Sequence, residues 1–167
     1  MSSKPETGFI TSVHRHLPPP DEFHREKMAN PYRGGTADCW YSDAQDLWVE
    51  WKYVLIPKRP LTLIDPTLSA LQDHWLRGRW NEGRNIWVIV GSKNGGVIFD
   101  QGNWHLWLTS EQFCARLLDR KTIASQLLDW CSHEPTAALY NRTSSNGGVP
   151  HRFDHAVADL PGTASRR

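Results

Sequence analysis

The clearest pattern of apolar and polar positions lies in residues 46–56, which are rich in leucine, tryptophan, valine and tyrosine. Such a run predicts a β-strand, whose side chains alternate between two faces. One face carries the apolar row Leu47, Val49, Trp51 and Tyr53. The opposite face carries Trp48, Glu50, Lys52 and Val54. A carboxylate and an ammonium group, Glu50 and Lys52, therefore project together from one face of the predicted strand.

Weaker patterns predict the elements around this strand. Apolar or β-branched runs predict further strands at residues 36–41, 85–90 and 97–100. Apolar spacing and capping residues predict helices at residues 67–76, 110–118 and 122–130. Asp21 is a suitable N-cap for a short helix over residues 23–29, and Gly95-Gly96 predicts a turn. These elements together predict an α/β fold with a mixed sheet.

The length and the composition of the chain predict one globular domain. The chain has 167 residues, of which 39% are hydrophobic and 22% charged. Periodicity is missing at both ends, so we expect a flexible N-terminal arm over residues 1–12, a folded domain over 13–132 and a mobile C-terminal tail over 133–167. No apolar run approaches the roughly 18 residues of a membrane span, and no signal peptide is evident. A cytoplasmic protein with no membrane contact is therefore expected.

The net charge changes this picture little. A formal charge of +1 argues weakly against a protein that neutralises many phosphates. The basic residues are nevertheless frequent between Arg25 and Lys93, and several acids in that stretch are candidates for metal binding. Bound cations would turn the local field positive. The charge balance therefore does not exclude a nucleic-acid substrate.

The candidate chemistry lies in Asp38, followed after eleven residues by Glu50-Trp51-Lys52. This spacing fits a β-hairpin on which both carboxylates converge on one cation, and oxygen ligands suit Mg²⁺ or Mn²⁺. A metal and a lysine at one site can hydrolyse phosphodiester bonds. The alternative is that these charged residues form the solvated face of a hairpin.

Two phrases of the sequence, residues 30–38 (NPYRGGTAD) and residues 47–52 (LWVEWK), resemble the core of the PD-(D/E)XK nucleases, in particular their small phage and virus-type members. Members of that family often carry a glutamine on the helix after the Glu-x-Lys strand, and Gln72 matches it. The following strand ends in Gly91, as it does in the family. The resemblance covers roughly residues 20–105, about half of the chain. Ala37 departs from the pattern, because the family usually has a structural proline there.

The resemblance implies a restriction-endonuclease-like fold, a mixed central sheet flanked by helices, with one or two Mg²⁺ or Mn²⁺ ions. It implies an acid on the helix before the hairpin, for which Glu26 is slightly preferred to Glu22. An exposed carboxylate at a helix N-terminus is the alternative for both. The implied catalytic set is Asp38, Glu50, Lys52, Gln72 and Glu26. The implied metal-binding set is Asp38, Glu50, Trp51 and Glu26, although the ring of Trp51 falls on the apolar face that predicts a core position.

The resemblance further implies a metal-dependent endonuclease that acts on DNA, is selective for branched or junction structures, and works as a homodimer with two active sites. If a phage encodes it, the enzyme acts in the host cytoplasm. No base-reading motif is visible, so basic residues should contact the DNA backbone. The candidates are Arg33, Lys58, Arg59, Arg77, Arg79 and Arg84. The rings of Trp40 and Trp48 either wall the substrate groove or pack beneath a helix. Two rival functions stay open: a non-catalytic DNA-binding or virion-associated module with the same fold, and a metal-dependent ribonuclease.

Overall fold

The computed structural model describes residues 4–28 and 34–133. These residues form four α-helices, α1 to α4, seven strands, β1 to β7, and a short 3₁₀ helix over Asn103–His105. The helices are Lys4–His14, Ala70–Asn81, Ser110–Ala115 and Arg120–Ser132. The strands are His24–Lys27, Cys39–Ser42, Asp46–Tyr53, Leu63–Ile64, Ile86–Ser92, Gly95–Phe99 and Leu108–Thr109.

The central sheet has five strands in the order β1-β2-β3-β5-β6. β3 and β5 are parallel and adjacent, and the chain passes between them through α2. A parallel pair needs such a crossover, whereas the antiparallel pairs β2–β3 and β5–β6 are joined by short turns. β4 and β7 form a separate two-stranded sheet. The strand predicted from its alternating pattern, β3, is therefore the middle strand of the central sheet.

Both faces of the sheet are covered by apolar side chains. On one face α1 and α4 pack over the row that begins with Leu47, and the buried side chains there include Phe9, Phe23, Tyr41, Trp51, Ile89, Ile123 and Leu127. On the other face the core gathers α2, α3 and the β4–β7 pair around Leu76, Ile86, Val88, Val90, Phe99, Trp104 and Phe113. The strands in the middle are buried on both sides, as parallel strands usually are.

The expected α/β class, a mixed central sheet flanked by helices, is confirmed. The alternation along β3 is also as predicted, because Val49 and Trp51 lie in the core beneath α1 while Trp48 packs against the opposite core. Trp87 on β5 is buried in the first of these cores as well. None of the helices in residues 4–28 and 34–133 is long and apolar enough to cross a membrane.

The expectation of a loose N-terminal arm is wrong for residues 4–12, which form most of α1. Phe9 and Val13 lie four residues apart, a helical spacing, and both are buried against the sheet. Burial of these two apolar side chains stabilises a helix whose polar and glycine-containing sequence predicts little.

The predicted helix over residues 23–29 is also wrong, because His24–Lys27 forms β1 at the edge of the sheet. Backbone pairing with β2 outweighs a weak local helical preference. Charged side chains suit an edge strand, since they discourage pairing with other chains. Ala29, the last residue of the predicted helix, lies outside the described residues.

The predicted turn at Gly95-Gly96 belongs to β6 instead, and the turn is made by Lys93 and Asn94. The two glycines are needed for close approach. A Cβ on Gly95 would lie 2.4 Å from the carbonyl oxygen of Leu118, and one on Gly96 would lie 2.9 Å from the ring of Phe9. Residues 134–167, nearly all of the predicted tail, lie outside the described residues, and the domain boundaries stay predictions.

The contact between Gly91 and Phe9 gives a stability prediction. A Cβ on Gly91 would fall 2.3 Å from the Phe9 ring, so Gly91→Ala should push α1 off the sheet and destabilise the fold by roughly 1–3 kcal/mol. Phe9→Leu in the same chain should recover part of the loss by making space. Urea unfolding of the two single variants and the double variant would measure the coupling. Additive effects would show that α1 does not rest on Gly91.

Candidate active site

The two carboxylates of the predicted hairpin come together at the start of β2. Cys39 is the cross-strand partner of Val49, so Asp38 faces the position of Glu50 one residue along the ladder. Asp38 Oδ2 accepts a hydrogen bond from the backbone N–H of Trp51 at 2.9 Å. This bond fixes the Asp38 carboxylate against β3.

Glu50 is fully buried, which is unusual for a carboxylate. Its Oε1 lies 2.8 Å from Lys52 Nζ and also accepts a hydrogen bond from Gln72 Nε2. Its Oε2 is buried without a hydrogen-bond partner among the described residues. Burial, and then the nearby charge of Asp38, raise the pKa of Glu50 from its ordinary 4.5 to about 7, against the opposing effect of Lys52.

Gln72 is placed by the start of α2. It is the third residue of a capping box, in which Ser69 Oγ accepts from the Gln72 backbone N–H and Gln72 Oε1 accepts from the Ser69 backbone N–H. The same Oε1 lies 3.2 Å from Lys52 Nζ. The cap therefore presents the Gln72 amide to both Glu50 and Lys52, and the structure brings together Asp38, Glu50, Lys52 and Gln72.

The glycine turn before Asp38 is held against the same end of α2. Gly35 has φ +91°, and a Cβ there would lie 2.5 Å from the carbonyl oxygen of Leu71 and 3.0 Å from the Gln72 backbone nitrogen. A side chain at this position would push the turn away from α2. Gly35 thus sets the separation between the element that carries Asp38 and the one that carries Gln72.

Glu6 on α1 is a residue near the site that the sequence predictions missed. Its charge contributes to the raised pKa of Glu50, as the smallest of the causes. Phe9 and Val13 were the signal that could have revealed it, because their spacing of four places Glu6 about one turn before Phe9 on the same helix. A helix acid before the hairpin therefore exists, but on α1.

Glu26, preferred for that role in the sequence, lies on β1 and not on a helix. Its carboxylate is exposed and stands 4.0 Å from His24 Nε2. Glu22, the other candidate, is exposed in the turn before β1. Trp51 is fully buried, and the contact it makes to the site is its backbone N–H to Asp38.

The predicted DNA-binding residues do not form one group. Lys58 and Arg59 are exposed in the loop that follows β3, beyond Lys52. Arg33 lies outside the described residues.

The arginines near α2 lie further along that helix. Arg77 pairs with Asp73 at 2.7 Å and Arg79 with Glu82 at 2.6 Å. Arg79 is seven residues beyond Gln72, about 10 Å along the helix axis, and Arg84 follows in the exposed connection to β5. Exposed ion pairs of this kind are weak and can be exchanged for a phosphate contact.

An aromatic row runs beside the carboxylates. Trp40 and Trp48 stack across β2 and β3 with ring centroids 5.9 Å apart, and Trp75 on α2 meets Trp48 edge-on at 5.6 Å. Trp40 lies two residues after Asp38 on one strand, and Trp48 lies two residues before Glu50 on the other. Packing beneath α2 thus accounts for Trp48, while a role for Trp40 in walling the groove stays a prediction.

The carboxylate pair fits a hydrated divalent cation. Across residues 4–28 and 34–133, no three His, Cys, Asp or Glu side chains form a ready cage for a metal. Mg²⁺ does not require one, because it keeps several waters and commonly binds through one or two carboxylates. The partnerless Oε2 of Glu50, next to Asp38, is a suitable ligand atom for such an ion. Asp38 and Glu50 are therefore the residues that would hold it.

The raised pKa of Glu50 gives a prediction about stability. Between about 4.5 and 7, the folded state keeps a proton that the unfolded state loses, so stability falls as pH rises through this window. Glu50→Gln should remove this pH dependence. The melting temperature of the variant minus that of the wild type should be at least about 3 °C larger at pH 8 than at pH 4.5. Millimolar Mg²⁺ should stabilise only the wild type. If the melting temperatures of wild type and Glu50→Gln differ by the same amount at every pH, burial of Glu50 does not cost stability as stated here.

The comparisons with known proteins are sparse. The chain matches no protein-family model and no curated protein sequence. Among solved structures, it resembles that of Hjc from Archaeoglobus fulgidus, a Holliday junction resolvase from an archaeal hyperthermophile. The two are 13% identical with a TM-score of 0.45, over 75% of this chain and 99% of that one. The assignment of a function therefore rests on the geometry of the hairpin site.

Proposed function

We propose that this chain is a divalent-metal-dependent endonuclease of the PD-(D/E)XK type that hydrolyses phosphodiester bonds in DNA. The observation that carries the proposal is the fully buried Glu50, which has one oxygen without a hydrogen-bond partner within residues 4–28 and 34–133 and lies beside Asp38, Lys52 and Gln72. A buried charged cluster of this kind costs stability, and such costs are typical of functional sites. The solvated face of a hairpin would show none of these features.

Each residue of the cluster has a separate role in the proposed reaction. Asp38 and Glu50 would hold a divalent cation, and a bound Mg²⁺ or Mn²⁺ would supply an acidic water and neutralise charge on the phosphate. Lys52 would place its ammonium group at the nucleophile or at the attacked phosphate. Gln72 orients Glu50 and Lys52 through its amide. Glu6 on α1 adds a third carboxylate to the field of the site.

The proposed substrate is branched or junction DNA, cut by a homodimer. The strands of a four-way junction form symmetry-related pairs, and two-fold symmetry in the protein would present one site to each strand of a pair. Lys58 and Arg59 are exposed and suited to backbone contacts, which position DNA without reporting its sequence.

One cleavage assay tests these points together. Labelled duplex, single-stranded, four-way-junction and RNA substrates of matched sequence are incubated with Mg²⁺ and with EDTA. We expect Mg²⁺-dependent cutting of DNA, strongest on the junction. Cutting of RNA in preference to DNA would identify a ribonuclease. Binding without cutting under any metal would identify a non-catalytic module.

The acid on α1 can be tested against the acid on β1. Glu6→Gln should lower the single-turnover cleavage rate by about tenfold, in the range of residues that tune a metal site indirectly. Glu26→Gln is the matched change on an exposed side chain and should alter the rate by less than about twofold. A larger loss of rate for Glu26→Gln than for Glu6→Gln would show that Glu26, and not Glu6, is the additional acid of the site.

A further inference from the structure

A cleft of about 300 Å³ lies between α1 and the edge strands β1 and β2. Asp38, one of the two proposed metal ligands, is part of its wall, so the cleft opens directly onto the candidate site. Nothing in the proposed hydrolysis requires this space. Its walls also carry Ile10, Thr11, His14 and Cys39.

The cleft is lined by the charged residues Arg25, Glu26, Lys27 and Asp38 together with a neutral imidazole, that of His14. Burial, with a smaller effect of Arg25, lowers the pKa of His14 to about 4. His14 Nε2 is held by the hydroxyl of Tyr41 at 2.6 Å, which fixes the imidazole ring. Together with Ile10, this imidazole offers apolar surface and hydrogen-bonding edges to an uncharged, flat ligand.

A cation stands at the rim of the same space. Lys27 is the cross-strand partner of Cys39, so its side chain points to the face on which the cleft lies. It is exposed and makes no ion pair within residues 4–28 and 34–133. The neutral imidazole of His14 and the apolar surface of Ile10 beside this cation match a nucleotide, which joins an uncharged base to a phosphate.

We infer that this cleft, the α1–β1 cleft, receives an unpaired nucleobase of the substrate while Lys27 contacts the phosphate of the same nucleotide. The inference rests on the proposed function, which places the scissile phosphate beside Asp38. A volume near 300 Å³ is at the lower limit of small-molecule sites, and it suits one base and not a duplex. A paired base would have to leave the stack to enter, at an energetic cost that an unpaired base avoids.

The preferred substrate class is therefore DNA with an unpaired nucleotide next to the cut. A fully paired duplex is cut more slowly, because one base must first be extruded. This requirement selects for structure without reading sequence.

The test uses a variant that fills the cleft. Thr11 is exposed on α1, and its hydroxyl bonds only within the helix, to the Thr7 carbonyl oxygen at 2.9 Å, among the contacts of the described residues. Thr11→Trp places an indole in the space. Ser125→Trp, a matched change of an exposed hydroxyl residue on α4, is the control.

The first measurement is a permanganate footprint of a bulged thymine in EDTA, at protein concentrations that saturate the DNA. Wild type and Ser125→Trp should protect the bulged thymine from permanganate when the bulge lies at one fixed distance from the site where the protein binds. Thr11→Trp should leave the thymine reactive. Cleavage is not needed, so this result is independent of the proposed hydrolysis. Equal reactivity of the thymine with and without wild type overturns the inference.

The second measurement is the ratio of cleavage rates for bulged and fully paired duplexes with Mg²⁺. Wild type and Ser125→Trp should cut the bulged DNA at least about tenfold faster. Thr11→Trp should bring the ratio near one by losing rate mainly on the bulged substrate. An equal loss on both substrates would contradict a base pocket. Protection in EDTA without cutting in Mg²⁺ would reject the proposed nuclease and keep the pocket.

Discussion

Replacement of Asp38 by asparagine should lower the cleavage rate by about 10³-fold or more, the loss expected when charge stabilisation at a reacting phosphate is removed. Asparagine keeps an oxygen that can accept from the Trp51 N–H, so the fold should persist. The negative charge that would hold the metal is lost. Single-turnover cleavage of a labelled junction measures the rate, and calorimetry with Mg²⁺ measures the lost binding.

Asp43→Asn is the matched control for this substitution. Asp43 lies at the turn of the same hairpin and bonds to Ser132, away from the carboxylate cluster. Its replacement should leave the rate and the Mg²⁺ affinity close to those of the wild type. Asp38→Asn should also lower the pKa of Glu50, because Asp38 is one of the charges that raise it. If Asp38→Asn still binds Mg²⁺ as the wild type does, the metal assignment is wrong.

The centre of the fold could be predicted because its signals are local and strong. β3 is eight residues long and alternates between two faces, so the pairing of Glu50 with Lys52 on one face followed from strand geometry alone. The start of α2 has a cap that the sequence contains in full, Ser69 and Gln72, although the helix was expected from residue 67 and begins at Ala70. The position of Asp38 opposite Glu50 required only a short hairpin between them.

The periphery could not be predicted because tertiary contacts decide it. α1 is stabilised by the fit of Phe9 onto Gly91, and that contact joins residues far apart in the chain. β1 exists because β2 offers its edge, and the sequence of β1 alone has no strand alternation. Both errors affected the expected site, since Glu26, the acid expected on a helix before the hairpin, lies on β1, and the helix before the hairpin is α1.

Burial of Glu50 was equally invisible in the sequence. A strand with one charged face predicts exposure to solvent, whereas here α2 covers that face and Gln72 reaches the carboxylate. The raised pKa follows from this covering and not from the residue type. The chemistry that the site can perform therefore depends on the crossover helix, α2, as much as on the hairpin.

Lys52 should serve the chemical step and not the binding of DNA. It is largely buried and lies 2.8 Å from Glu50 Oε1. Lys52→Ala should lower the single-turnover rate by about 10²-fold with little change in affinity, because its charge acts where negative charge develops. Lys58→Ala changes an exposed lysine and should instead weaken DNA binding, with little effect on the cleavage rate. The slope of the logarithm of the binding constant against the logarithm of salt concentration should become shallower by about one.

The pH dependence separates two contributions of Lys52. The ammonium group lowers the pKa of Glu50 by its charge and its hydrogen bond, so its removal should raise that pKa above 7. In Lys52→Ala the rate should then rise with pH to a higher midpoint than in the wild type, as Glu50 ionises. The loss that persists above this midpoint measures what the ammonium group itself contributes to the reaction. Equal losses of rate and affinity for Lys52→Ala, with an unchanged pH midpoint, would make Lys52 a DNA-binding residue and leave the chemistry to the carboxylates.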